Sequence, residues 1–466
     1  MGEGRYWLQT LGCPKNQVDS DKLAGHLAAE GLAPASEAQD ADLVIVNTCA
    51  FIEAARQESI DTILELADAR RPGARLVVTG CMAERYGGEL AAALPEVDLV
   101  AGFGVALTDR VTGAAPVPVT LGDTRTRPVP GGSFDLLELP RPATGAPWAY
   151  VKVAEGCDRI CGFCAIPSFR GRQRSRAVTD VLSEVRALVE GDGHGPGARE
   201  IVLVAQDLAS YGRDRGVPGA GGPGRAGAGQ PIVALTRAVS ELVSRTRLLY
   251  LYPSGLTDEL IGAVLATGVP YFDLSLQHVS RPLLARMRRW GDGERFLARI
   301  AAIRRAEPTA TFRSSFILGY PGETEEDHDA LLGFLREAEL DWAGFFPFSP
   351  ESGTHAVGLE HQVPSGLAME RLRECAELQD AVTAYRRDLM VGERRRVLVD
   401  APGVARTVHE APEIDGVVRV PADLAPGALV DVIITGSTGV DLVALPVDGT
   451  ADRAPGPVTA DRAGRW

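Results

Sequence analysis

Lysine is almost missing from this chain. Among 466 residues only Lys15, Lys22 and Lys152 carry it, and arginine supplies the rest of the positive charge. Beside the wealth of alanine, glycine and proline, this bias reads as a GC-rich coding sequence rather than a functional demand. Positive charge as a whole also falls short. Against 62 Asp and Glu stand 48 Lys and Arg, a net charge of −14 with a pI near 5.1. Nucleic-acid affinity is dominated by cationic contacts to phosphate, so no tight nucleic-acid binding is expected. An acidic surface suits a basic protein partner, or simply solubility. Long apolar runs are absent too. None approaches the ~20 residues that span a bilayer, and the start "MGEGRYWLQTLG" has no signal-peptide apolar core. The expectation is a soluble cytoplasmic protein with no membrane contact. Seven cysteines, an odd set in a large acidic chain, argue against a disulfide scaffold and for metal or catalytic use.

What is present begins with a repeated pattern. "YWLQTLGC" (6–13), "LVIVNTC" (43–49) and "RLVVTGC" (75–81) are strand-like runs, each ending in cysteine. Helical patterns follow each one. Leu23 and Leu27 stand one turn apart after the first, and Ile52, Ile60, Ile63 and Leu64 suggest a buried stripe after the second. The alternation predicts a doubly wound α/β domain over 1–112 with a mainly parallel sheet. Ligands of such sheets bind at the carboxyl ends of the strands, so Cys13, Cys49 and Cys81 would converge on one rim. Three thiolates suit an iron–sulfur cluster with one iron left open, or a zinc site completed by another ligand. The alternative is three small buried core residues, since free cysteine packs well as a hydrophobe.

A Pro/Gly-rich linker, 113–147, leads to "WAYVKVAEGCDRICGFCAIPSFRGRQRSR". Here Cys157, Cys161 and Cys164 follow a strand, spaced by three residues and then two. Three thiolates on one loop can hold three irons of a [4Fe–4S] cluster and leave the fourth open. Phe163 can pack beside the cluster or a bound adenine. The spacing resembles the signature of the radical S-adenosylmethionine (SAM) superfamily. Candidate strands at 148–154, 200–205, 247–252, 271–276, 311–318 and 341–348, with helices between, predict a partial (β/α)6 barrel over 148–385. Its strand ends carry Gln206 and Asp207, Gln277 and His278, and Glu323. These could receive the methionyl amine, the ribose or the substrate. Asp207 and Glu323 could equally be capping residues, and a lone His278 is more often structural. Arg170, Arg172, Arg174 and Arg176 could reach an anionic group, but read more simply as a solvated basic loop. Residues 212–231 read as a flexible glycine-rich insertion.

Over 386–450 short β-like runs separated by Pro/Gly turns predict a small β-barrel. Its acids, among them Glu410, Glu413 and Asp415, outnumber its arginines, which suits docking of a basic protein. Residues 451–466 read as a disordered tail.

Over nearly its whole length the chain resembles the methylthiotransferases, which join a three-cysteine domain, a radical-SAM barrel and a TRAM domain. The stretches "LVAQDLASYG", "YFDLSLQH", "FSPESGT" and "HEAPEIDGVV" resemble the branch that modifies an aspartate of a ribosomal protein. The tRNA-modifying branch tends to carry Asn at position 207 and Ser at 278. Ser275 departs from the family's usual Pro, and Cys375 is read as a packed helix residue. The resemblance implies two [4Fe–4S] clusters, one on Cys157, Cys161 and Cys164 that holds SAM, the other on Cys13, Cys49 and Cys81 that carries the inserted sulfur. SAM cleavage would yield a 5′-deoxyadenosyl radical, and a second SAM would supply the methyl group. Phe163, Gln206, Gln277 and Glu323 become candidate SAM contacts. The implied partners are the basic twelfth protein of the small ribosomal subunit and an electron donor of the flavodoxin or ferredoxin type. The competing readings are a tRNA methylthiotransferase and a non-enzymatic iron–sulfur redox sensor.

Overall fold

The computed structural model describes residues 4–103, 105, 135–193, 195–215 and 229–451. Most of the expected linker (113–134), the middle of the glycine-rich insertion (216–228) and the tail from 452 lie outside the described residues.

The first sheet comprises β1 (Arg5–Thr10), β2 (Ala33–Pro34), β3 (Leu43–Thr48), β4 (Arg75–Gly80) and β5 (Leu99–Val100). All pairings are parallel and the order is β2-β1-β3-β4-β5. Helices α1 (Pro14–Ala29), α2 (Glu53–Ala69) and α3 (Cys81–Ala93) cover it. Successive side chains point to opposite faces, and because both faces are buried the central strands are nearly continuous apolar runs. Leu43 and Ile45 of β3 join a core with Leu23 and Leu27 of α1, while Val44 and Val46 join Ile63 and Leu90 on the other face. Leu64 departs from the expected stripe: it is exposed, because one helical step from the buried Ile63 rotates it to solvent.

The six expected barrel strands are present. They are β6 (Trp148–Lys152), β9 (Glu200–Val204), β10 (Arg245–Leu248), β11 (Tyr271–Gln277), β12 (Thr311–Leu318) and β13 (Trp342–Pro347). They form two parallel three-stranded halves, β10-β9-β6 and β11-β12-β13, joined by one parallel bridge between Leu251 and Leu274. The short strands β7 (Ala154–Glu155) and β8 (Arg174–Ser175) pair antiparallel around the cysteine loop. Among the covering helices, Val178–Glu190 buries Val181, Val185 and Leu188. Glu325–Ala338 starts with a capping box in which Thr324 and Asp327 satisfy each other's backbone N–H.

The helix Ser365–Asp388 buries Cys375 and runs past the expected boundary at 386. A closed barrel follows: β14 (Arg394–Ala401), β15 (Val404–Arg406), β16 (Val418–Arg419), β17 (Leu429–Thr438) and β18 (Asp441–Ala451), in the order β14-β15-β16-β18-β17. The loop between β15 and β16 plugs the amino-terminal mouth of the larger barrel. Arg245 donates to the carbonyls of Arg406 and Thr407 at 3.0 and 3.1 Å, Trp342 Nε1 to His409 O at 2.9 Å, and Tyr150 Oη to Pro412 O at 2.7 Å.

This plug corrects the reading of the acidic third domain. Glu410 is fully buried and pairs with Arg387 at 2.5 Å. Asp415 accepts from Tyr271 Oη at 2.6 Å and pairs with Arg313 at 3.4 Å. Of the three acids expected to face a partner, only Glu413 is exposed. The other two neutralise buried arginines, which a count of charges along the sequence does not distinguish from surface acids.

Candidate active site

The three cysteine-ended strands β1, β3 and β4 are adjacent in the sheet, so their thiols gather on one rim. Cys13 and Cys49 flank the point where strand order reverses, the crevice that α/β sheets use for ligands. Cys13 is the N-cap of α1, and Cys81 opens α3. Gly12, at φ +92°, makes the close approach possible: a Cβ there would lie 2.8 Å from Cys49 Cβ. Burial, reinforced by the charges of Cys13 and Cys81, pushes the Cys49 thiol up to about 12. At Cys13 burial is outweighed by Lys15 and Arg170, and the thiol falls below its ordinary value.

Arg170 is buried between this rim and the barrel rather than solvated. Its Nε and Nη2 donate to Cys81 Sγ at 3.3 and 3.0 Å, and Nη2 also to Asn16 Oδ1 at 2.6 Å. Its Nη1 donates to both oxygens of Glu155 at 3.0 and 2.9 Å and pairs with Asp19 at 3.3 Å. Lys152 donates to Asp19 and, at 2.6 Å, to Glu155. Burial opposes the charge on Glu155, but Arg170 and Lys152 hold it well below the usual carboxylate range. Arg176 is buried as well and pairs with Glu184 at 2.6 Å, whereas Arg172 and Arg174 are exposed, as expected of a solvated loop. Arg172 and Arg174 alternate with the buried Gln173 and Ser175, whereas Arg176 lies beyond β8 and turns inward to Glu184.

The second thiol set lies on the loop after β7. Gly156, at φ +78°, lets the loop turn where a Cβ would stand 2.2 Å from Arg172 O. Each of two arginines reaches the set. Arg289 Nη1 donates to Cys161 Sγ at 3.1 Å, and the Arg159 backbone N–H to Cys157 Sγ at 3.4 Å. Burial pushes Cys157 up to about 11, with Asp207 and Cys161 adding to it, and Cys164 up to about 12, with Cys161 and Cys157 adding. Phe163 is half-buried against the barrel core. All six thiols are free of disulfides. Among the described residues no three His, Cys, Asp or Glu side chains converge tightly enough to hold a single metal ion. A four-iron cluster asks for wider spacing, because each thiolate binds its own iron.

The strand-end residues divide. Gln206 Nε2 donates to Glu155 Oε1 at 2.6 Å, while its buried Oε1 has no protein partner. Asp207 accepts from Arg159 Nε at 2.7 Å and from Ser210 Oγ at 2.6 Å. Gln277 is half-buried at φ +72°, a strained conformation for a residue with a Cβ. Glu323 commits its carboxylate internally, to the N–H groups of Gly319 and Tyr320 and to Arg371. His278 is fully buried, its Nδ1 accepts the Ser280 N–H at 3.0 Å, and burial lowers it to about 4, so it stays neutral.

Two further connections escaped the sequence. Glu351, in "FSPESGT", takes Arg56 and Arg85 of the first domain, each at 2.6 Å, and clamps that domain over the carboxyl ends of the barrel strands. The scarce lysines are all buried, at 7%, 0% and 0% exposure for Lys15, Lys22 and Lys152, and all stand where the first domain meets the barrel. Their rarity in the sequence is compositional, but their position is a signal: two of them lie within ten residues of Cys13.

Comparison with known proteins bears on this arrangement. Residues 5–102 match the uncharacterized protein family UPF0004, residues 151–335 the radical SAM superfamily and residues 391–447 the TRAM domain. Radical SAM domains use S-adenosylmethionine with an iron–sulfur cluster and need a reductant. A "ribosomal protein uS12 methylthiotransferase RimO" of Moorella thermoacetica is 43% identical over 91% of this chain and 95% of its own length. Proteins of the same name from Nocardioides sp. and Cutibacterium acnes are 40% and 39% identical over 94% and 95% of this chain, and 96% and 98% of their own. Among solved structures, the cobalamin-dependent SAM radical enzyme OxsB overlays with a TM-score of 0.44 at 13% identity, covering 81% of this chain and 56% of that one. With relatives of such identity along its length, the chain belongs to the RimO family of radical SAM methylthiotransferases.

Proposed function

We propose that this enzyme adds a methylthio group to the β-carbon of an aspartate in small-subunit ribosomal protein uS12, in the cytoplasm, with two [4Fe–4S] clusters, SAM and an electron from a flavodoxin- or ferredoxin-type donor. The observation that carries the reading is the pairing of two thiol sets across one domain interface. Cys157, Cys161 and Cys164 would hold one cluster, and Cys13, Cys49 and Cys81 the other. The donor sets fit. Both present three free thiols, and both bring N–H donors to sulfur: Arg170 to Cys81, Arg289 to Cys161 and the Arg159 backbone to Cys157. Such hydrogen bonds stabilise anionic cluster sulfur. Bound there, the cluster and SAM supply one-electron chemistry that breaks an unactivated C–H bond beyond the reach of acids and bases.

The chain's own residues then bind, orient and shield. Gln206 keeps an unpartnered carbonyl for a ligand N–H, and Phe163 and the strained Gln277 would line the SAM site. Arg170 and Glu155 tie the first rim to Gln206, fixing the separation of the two thiol sets. Glu351, through Arg56 and Arg85, holds the first domain over the barrel mouth. The deciding experiment is mass spectrometry of uS12 and of tRNA from cells with and without this gene. Loss of the methylthio group from uS12 alone is expected. Loss from tRNA with uS12 unchanged moves the protein to the tRNA-modifying branch, and no change in either removes the assignment.

A further inference from the structure

The interface between the two thiol sets is dense with charge, and nearly all of it is matched. Arg170 and Lys152 donate to Glu155, Arg159 to Asp207, and Arg289 to Cys161 and the Ser275 carbonyl. Lys15 differs. It is 93% buried, being 7% exposed, yet its ammonium donates a hydrogen bond to no described residue. Nζ stands 3.3 Å from the centroid of the Tyr250 ring, which takes up charge but offers no lone pair. The carboxylates around it are engaged elsewhere. Asp273 accepts from the Tyr250 N–H at 2.9 Å and from Arg313 at 3.4 Å, and Glu155 from Arg170, Lys152, Gln206 and the Gly156 N–H. An ammonium has three donors, and none is taken by a described residue while Nζ keeps contact with solvent, so all three are open to a ligand.

The position is as informative as the deficit. Lys15 is two residues beyond Cys13, on the first turn of α1, and belongs to the rim of the first domain. Tyr250 follows β10 and belongs to the carboxyl end of the barrel, where φ +63° holds it in a strained turn. The unmatched donors therefore lie between the two thiol sets. We infer that Lys15 receives the side-chain carboxylate of the substrate aspartate. This rests on the function proposed above and deepens it. The β-carbon is one bond from that carboxylate, so an anchor at Lys15 decides which C–H bond is presented. It also gives a physical basis for choosing aspartate over its uncharged amide. The other carboxylate available to this cleft is that of SAM, and the test separates the two.

Binding of uS12, and of uS12 with the modified aspartate changed to Asn, is measured by titration against iron-loaded wild-type protein, Lys15→Met and Lys15→Gln. SAM affinity and iron content are read on the same samples. A charge-assisted hydrogen bond implies that wild type prefers the Asp form by about tenfold. In both variants the preference should shrink below about twofold, with iron content and SAM affinity held. Wild type that binds uS12 but ignores the Asp-to-Asn change overturns the Lys15 assignment and leaves the proposed function standing. Variants that keep the wild-type preference overturn it likewise. So do variants that lose SAM affinity while the preference persists, which would give Lys15 to the SAM carboxylate. Wild type that binds neither form overturns both readings.

Discussion

At the scale of single residues, buried ions define the sharpest expectations. Arg170 serves Cys81, Asn16, Asp19 and Glu155 at once. Removing one member of a buried ionic network costs roughly 3–5 kcal/mol, because the partners stay behind uncompensated. Arg170→Met is therefore expected to lower the urea midpoint strongly, and Arg170→Lys to rescue only part, since an ammonium lacks the fork that reaches thiol and carboxylate together. Two acids of the plug loop respond to pH with opposite sign. Burial opposes ionisation of Glu410, but Arg387 outweighs it and brings the group to about 2. Against an unfolded value of about 4.3, the ionised form contributes on the order of 3 kcal/mol, present above pH ~4.3 and lost as pH falls through ~2. Glu410→Gln should erase that portion of the acid transition and destabilise the protein at neutral pH. Asp415 is pushed up to about 6 by burial, with Arg313 opposing. Its contribution is present below the unfolded value and lost as pH rises through 6, so Asp415→Asn should remove that loss of stability between pH ~4 and ~6. Urea midpoints across pH for the three proteins check both signs.

At the scale of elements, the loop Thr407–Asp415 changes the role of the third domain. Among the described residues the side-chain hydrogen bonds of Tyr150, Tyr271 and Trp342 of the larger barrel go to this loop, and Arg245 and Arg247 donate to it beside their other partners. A chain truncated after Gly392 is therefore expected to aggregate or to unfold at markedly lower urea, rather than to lose only substrate affinity. Truncated protein with a wild-type melting curve would return the domain to the role of a detachable docking module. The same loop shows what a sequence can and cannot reveal. The run "LVIVNT" and the six barrel strands were legible because burial on two faces leaves short, nearly continuous β-branched apolar stretches bounded by turns. The thiols were legible through repetition at strand ends and through spacing. Arg170, Glu155, Lys152, Asn16 and Asp19 were not, because their meeting joins residues over 150 positions apart, as from Asn16 to Arg170, and no local period marks it. The acidity of 386–450 misled for a related reason. A sum of charges cannot tell a surface carboxylate from one neutralised by a buried arginine of another domain.

At the scale of the whole molecule, the arrangement is two thiol sets on two separately built domains, clamped together by the Arg170 and Glu351 contacts. Each set hangs on its own sheet, and each has its own core. Emptying one should therefore leave the other loaded. Anaerobically reconstituted wild-type protein is expected to hold about eight irons, as two four-iron clusters require. Changing Cys157, Cys161 and Cys164 to Ala should remove about half and end SAM cleavage if, as proposed, the cluster on that loop holds SAM. Changing Cys13, Cys49 and Cys81 should remove the other half and spare some cleavage while ending sulfur insertion. Iron assay and Mössbauer spectra of the three proteins, with deoxyadenosine as the product of cleavage, read all of this. Wild type that binds zinc alone, or no more than about four irons, would remove the second cluster from the account. A first-domain variant that lost all its iron would show instead that the clamp makes the two sites one cooperative unit.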